Sequence, residues 1–123
     1  MSSGEAARAW ADAWERGWRT HDADQIAARY ADGALIRTHP FRDATYGPEG
    51  IRGYADWAFA SEEDVVDVGF GDPITAGDRA AVEYWAAVVS GGREQTIRGV
   101  SLLRFDDDGL VVEHRDYWAS ADV

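Results

Sequence analysis

The sequence predicts an α+β domain in which three N-terminal helices pack on a curved antiparallel sheet that encloses a pocket. Three observations carry this. Apolar residues recur at a helical period through about residue 60. From residue 65 the period changes to alternation. Turn signals at Ser90-Gly91-Gly92 and Asp106-Asp107-Asp108-Gly109 then divide the second half into a meander. Helices first and strands after, in the order α-α-β-α-β-β-β-β, place the helices on one sheet face and shape the whole as a cone.

Each element has its own signal. Trp10, Trp14 and Trp18 recur every fourth residue, with Ala6 extending the stripe, so residues 5–19 read as an amphipathic helix. Asp22 and Gln25 form a capping pattern for a second helix over 23–31. Ile26, Ala27 and Tyr30 form its inner face, and Gly33 suits its end. Residues 34–38 are a short strand ended by His39-Pro40-Phe41. Gly47-Pro48-Glu49 opens a third helix with an apolar stripe of Ile51, Tyr54, Ala55, Ala58 and Phe59. The acidic run 62–64 reads as a solvated connection. Val66, Val68 and Phe70 alternate on the next strand, followed by strands over 79–89, 94–105 and 110–119.

Composition narrows the partners. A chain of 123 residues is one domain's worth of sequence, so residues 1–123 are taken as a single domain. The formal charge is −11, with 23 acids against twelve bases, all arginine. That excess repels phosphate backbones and anionic lipid, so no nucleic acid and no membrane surface is expected. The expected ligand is a small apolar or cationic molecule. The absence of cysteine excludes disulfides, thiolate nucleophiles and iron–sulfur clusters. Met1–Glu5 lacks a basic segment followed by an apolar run, and no apolar stretch approaches ~18 residues, so a cytoplasmic protein is expected. Six Trp, five Tyr and four Phe suit either a core filled with large rings or a hollow domain lined by them.

The chain also resembles a known family, the nuclear transport factor 2-like superfamily, and within it the SnoaL-like branch. The resemblance covers about residues 6–119. It is carried by the helix pair ending in Arg29-Tyr30-Ala31-Asp32-Gly33-Ala34, by His39-Pro40-Phe41, and by Gly47-Pro48-Glu49-Gly50-Ile51-Arg52-Gly53-Tyr54. The final hairpin, Leu103-Arg104-Phe105-Asp106-Asp107-Asp108-Gly109 through Arg115-Asp116-Tyr117-Trp118, completes it. The resemblance implies a cone-like NTF2-like fold, no cofactor, and a homodimer through the outer sheet face. The superfamily includes isomerases, dehydratases, cyclases, hydrolases and non-catalytic binders, so the fold does not choose among them.

Strand alternation sorts the candidate site. On the last strand Val112, His114, Asp116 and Trp118 share a face, and hairpin pairing of 116 with Gly99 and 114 with Ser101 adds Ile97, Gly99, Ser101 and Leu103. A three-residue turn at 91–93 brings Glu83 and Trp85 to that face and leaves Val82, Tyr84, Val100, Leu102 and Tyr117 outside; a two-residue turn reverses the third strand. Asp116, in the family's Arg-Asp-Tyr-aromatic run, is the first candidate base, since a carboxylate in an aromatic cavity is poorly solvated and suits proton abstraction. His39 stands where ketosteroid isomerases carry an Asp before a Pro, and a histidine there exchanges protons near neutral pH. His114 pairs with Asp116 or merely fills the wall. Trp14 falls where those isomerases carry an oxyanion-binding Tyr; Tyr30, Tyr54 or Ser101 are alternative donors. Trp18, Phe41, Trp57, Trp85 and Trp118 complete the expected substrate wall. Glu83 departs from the Arg of limonene epoxide hydrolase-like members and is read as pairing with Arg98 or Arg115. No tight histidine spacing suggests a metal.

Overall fold

The computed structural model describes residues 1–123. Helix α1 spans Ser3–Thr20 and opens on a reciprocal cap: Ser2 Oγ accepts the Glu5 N–H while the Glu5 carboxylate accepts the Ser2 N–H. Hydrogen bonding to Ser2, first its side chain and then its backbone, holds the Glu5 carboxyl below its ordinary value, and the N-terminal charge adds to this. Its tryptophan stripe faces inward as expected, with Trp10, Trp14 and Trp18 all buried. Helix α2, Ala23–Ala27, is capped by Asp22.

Here the structure departs from the sequence reading. The second helix stops at Ala27, and Tyr30 begins strand β1 (Tyr30–Arg37) rather than ending a helix. Pairing of Tyr30 with Val111 supplies the backbone partners that a longer helix would need. Gly33 lies inside β1, where the register to its neighbour shifts.

A two-residue strand β2 (Thr45–Tyr46) precedes α3, Gly47–Ala60, whose start carries Pro48 as expected. Strand β3 (Asp64–Phe70) has a bulge between Val65 and Asp67. The bulge breaks the expected alternation: Val65 packs on the core and Val66 is exposed. Strands β4 (Ile74–Ala76), β5 (Arg79–Ser90), β6 (Arg93–Phe105) and β7 (Val111–Asp122) complete one sheet. Its order is β2-β1-β7-β6-β5-β3, with β4 beside β5. The sheet is mixed, not purely antiparallel, because β7 returns alongside β1 in the same direction. The helices cover its concave face, α1 against β3–β6 and α3 against β1. Ile26, Ile36, Ile51, Val68, Val82 and Val111 are fully buried between the layers. No helix is long and apolar enough to cross a membrane.

Two turns set the faces of the sheet. Ser90 pairs with Arg93, so the β5–β6 turn holds only Gly91 and Gly92. Both have positive φ, 59° and 74°, as a two-residue hairpin of this twist requires. The expected three-residue turn is thereby corrected. Val82 and Tyr84 face the helices, while Glu83 and Trp85 lie on the outer surface. The Trp85 indole covers Gly69 on the neighbouring strand. Glu83 has no ion pair; Arg115 is joined to Glu113 instead. At the last hairpin, Asp116 pairs with Ser101 and His114 with Leu103. This is two residues from the expected register, so the faces are unchanged.

Candidate active site

Between the helices and the concave sheet lies a cavity of about 280 Å³. Its floor is a chain of hydrogen bonds through four elements. The Tyr30 hydroxyl, at the start of β1, receives N–H bonds from Trp10 (2.9 Å) and Trp14 (3.0 Å) of α1. The same hydroxyl lies 2.8 Å from His114 Nδ1, and His114 Nε2 lies 2.6 Å from Asp116 Oδ1. Ser101 Oγ donates to that same Oδ1 at 2.5 Å.

Donor counting fixes the protons. An indole N–H only donates, so two of them fill both lone pairs of the Tyr30 oxygen. Tyr30 must then donate its own proton to His114 Nδ1. That nitrogen accepts, so the ring proton sits on Nε2 and points at Asp116. Asp116 Oδ1 thus accepts two bonds, while Oδ2 takes none from the protein and opens on the cavity. Strand geometry explains the pair itself: residues 114 and 116 are two apart on β7 and share a face. Burial pushes the Tyr30 phenol far above its ordinary value, with the Asp116 charge adding to the shift and the indole donors opposing it.

Above this floor stand two further phenols. Tyr54 of α3 and Tyr84 of β5 both line the cavity, and burial followed by the Asp116 charge raises each. Trp118 pairs with Gly99 across β6–β7; a Cβ at Gly99 would stand 2.6 Å from the Trp118 Cβ. Absence of that atom lets the indole cross toward β1, where it donates to the Thr38 carbonyl at 2.7 Å.

A second carboxylate lies at the rim. Glu62, just past α3, accepts from Trp18 Nε1 at 2.9 Å and lies 3.1 Å from His21 Nε2. His21 stacks on Phe59 with centroids 4.6 Å apart. Burial raises the Glu62 carboxyl, opposed by the bonds from Trp18 and His21. Its inward turn corrects the expectation of a solvated acidic run at Glu62, while Glu63 and Asp64 are exposed as expected. Arg42, on the loop after β1, presents its guanidinium to the faces of Tyr54, Trp57 and Trp118.

A sequence model of the SnoaL-like domain matches residues 7–114. The chain belongs to the SnoaL-like family. Solved structures agree on the fold. A hypothetical protein with a ketosteroid isomerase-like fold from Catenulispora acidiphila, in complex with trimethylamine, is 21% identical with a TM-score of 0.76, covering 88% of this chain and 83% of its own. The epoxide hydrolase/cyclase-like enzyme SalBIII of salinomycin pyran ring formation is 17% identical, with a TM-score of 0.81 and coverage of 97% and 96%. An LEH-like epoxide hydrolase from Mycobacterium tuberculosis is 15% identical, with a TM-score of 0.72 and coverage of 95% and 82%. No curated protein matches the sequence.

Within this SnoaL-like cavity the structure gathers Asp116, His114, Trp14, Trp18, Tyr54, Trp57, Ser101 and Trp118 on one wall or another. Other expected site residues fall elsewhere. His39 is not part of the lining: its Nδ1 accepts the Phe41 N–H at 3.2 Å and its ring meets Trp118 edge-on. The side chain of Phe41 points into solvent, 93% exposed. Tyr30 supports the floor from behind, and Glu83 and Trp85 are outside. Sequence reasoning missed Tyr84, Glu62 and Arg42. Paired glycines at 91–92 signalled Tyr84, since they favour the two-residue turn. A buried indole needs an acceptor, which is the one hint toward Glu62. Nothing in the sequence signalled Arg42.

Proposed function

We propose that the protein is a cofactor-independent enzyme that moves a proton on a small molecule, with Asp116 as general base. One observation carries this reading: Asp116 has one oxygen saturated by Ser101 and His114 and the other free toward an aromatic cavity. A carboxylate oriented in this way keeps a basic oxygen aimed at bound ligand. His114, Ser101 and Tyr30 are positioning residues, since both nitrogens of His114 are committed and Tyr30 lies behind it. Tyr54 and Tyr84 are the hydroxyl donors nearest in kind to what a developing oxyanion needs. The folds of hydrolase-like and cyclase-like neighbours accord with isomerisation, cyclisation or water addition. His39 has no place in this mechanism.

The test is conversion of a panel of cyclic ketones and epoxides in deuterated water, followed by NMR. Asp116→Asn is expected to lower the rate by roughly 10²–10⁴. Conversion that survives this substitution refutes the assignment. A second reading, non-catalytic binding of a small apolar or cationic molecule, draws on the trimethylamine held by the Catenulispora neighbour. Its signature is binding without conversion. We further propose a homodimer through the outer sheet face, where Trp85, Leu102 and Tyr117 are exposed. Light scattering that gives a monomer at micromolar concentration removes it.

A further inference from the structure

The cavity mouth holds a positive charge of the protein's own. The Arg42 guanidinium carbon lies 5.1 Å from the Trp57 ring centre, 5.7 Å from that of Tyr54 and 5.9 Å from that of Trp118. All three fall within the range of cation–π attraction, about 6 Å. No carboxylate pairs with Arg42, and its side-chain hydrogen bond, to Thr38 Oγ1, is long at 3.4 Å. Ring faces hold it, and the Tyr54 hydroxyl is near enough for the guanidinium charge and a hydrogen bond to oppose the rise in its pKa.

Two other features belong to the same place. Burial raises the Tyr54 hydroxyl, and the charges of Asp116 and Glu62 add to the shift while Arg42 opposes it, so this ring stands near two carboxylates. Trp57 is 64% exposed, an indole kept in water that core packing does not explain. Three aromatic faces backed by two acids favour a cation, and the chain's charge of −11 adds to the attraction.

We propose that Arg42 is the tethered occupant of a cation site, and that the cavity's ligand is a compact organic ammonium. Its head replaces the guanidinium between Tyr54, Trp57 and Trp118, and its body extends toward Asp116. This deepens the reading of the cavity as a small-molecule site and rests on it. A methylated ammonium suits the exchange because it brings no N–H group that the rings would leave unpaired, while the displaced guanidinium returns its own N–H groups to water. Arg42 lies on an irregular loop between β1 and β2, outside the hydrogen-bonded ladder, so its displacement breaks no sheet pairing.

Three probes of one shape separate the alternatives: choline, its neutral carbon analogue 3,3-dimethylbutan-1-ol, and the anion 3,3-dimethylbutanoate. Titrations followed by tryptophan fluorescence are expected to show choline binding about tenfold more tightly than the alcohol. Trp57→Ala, at an exposed position, is expected to erase that preference. Arg42→Gln is expected to tighten choline several-fold, because a competing internal cation is gone. Choline binding no tighter than the alcohol, or no choline binding at all, overturns the proposal. So does a weaker affinity in Arg42→Gln. Tightest binding by the anion, lost in Arg42→Gln, makes Arg42 an anion receptor instead. Neither variant touches the Tyr30–His114–Asp116 chain, so the cation preference stands or falls separately from the rate loss expected for Asp116→Asn.

Discussion

Two histidine–carboxylate pairs border one cavity, with Asp116, His114 and Glu62 in its lining and His21 behind Glu62, and they are built differently. His114 and Asp116 sit on one strand, two residues apart, and the histidine is 1% exposed. His21 and Glu62 come from a helix end and a loop, and the histidine is a third exposed. In the deep pair every hydrogen-bonding atom but Asp116 Oδ2 has a protein partner, so one protonation pattern satisfies the whole set. In the rim pair Trp18 Nε1 reaches both Glu62 oxygens and His21 adds to one of them, so no carboxylate oxygen is left free. The same chemical groups thus leave one carboxylate oxygen free on the floor and none at the rim. Each carboxylate meets two side-chain partners; the difference lies in where they fall, both on Oδ1 of Asp116 but across both oxygens of Glu62.

The largest break in this comparison is Asp116→Asn. It exchanges an acceptor for a group that both accepts and donates, and is expected to cost roughly 10²–10⁴ in turnover, with little change in the circular dichroism spectrum. Next is Tyr30→Phe. Removing that hydroxyl orphans two indole donors and His114 Nδ1 in the core, so urea unfolding is expected to show a loss of about 3 kcal/mol. A loss under about 1 kcal/mol shows that the network is not fixed as described.

At the rim, pH reports on Glu62. Burial raises the Glu62 carboxyl in the folded protein above its ordinary value of 4.5, so the folded state holds that proton more tightly than the unfolded state. The favourable contribution is complete below 4.5 and is lost as pH rises through the raised value. In Glu62→Gln the carboxyl is replaced by a neutral amide. Unfolding midpoints of that variant are expected to vary less with pH across this window than those of the wild type. Smallest is His21→Gly. It removes the contact with Phe59 and the bond to Glu62 but relieves a left-handed residue with φ of 52°, so stability is expected to stay within about 1 kcal/mol of wild type.

The same contrast governs what the sequence discloses. Asp116, His114, Trp118 and Ser101 are legible as one face because alternation along β6 and β7 survives a two-residue error in register. Glu83 and Trp85 are misplaced because a turn shorter by one residue reverses a whole strand. Tyr30 reads as helical from its spacing with Ile26, although pairing with Val111 makes it a strand residue. The fold follows from periods of 3.6 and 2 that span whole elements. Glu62 and Arg42 stand in connections with no period, and only packing against Trp18 or the three mouth rings reveals them.

The central claim is that donor counting holds His114 neutral with its proton on Nε2, leaving Asp116 Oδ2 as the free base. Long-range ¹H–¹⁵N correlation at the His114 imidazole tests it directly at neutral pH. The account predicts an unprotonated Nδ1 and a protonated Nε2. A proton on Nδ1, in the other neutral form or in the imidazolium, would contradict it, because Tyr30 then has nowhere to donate.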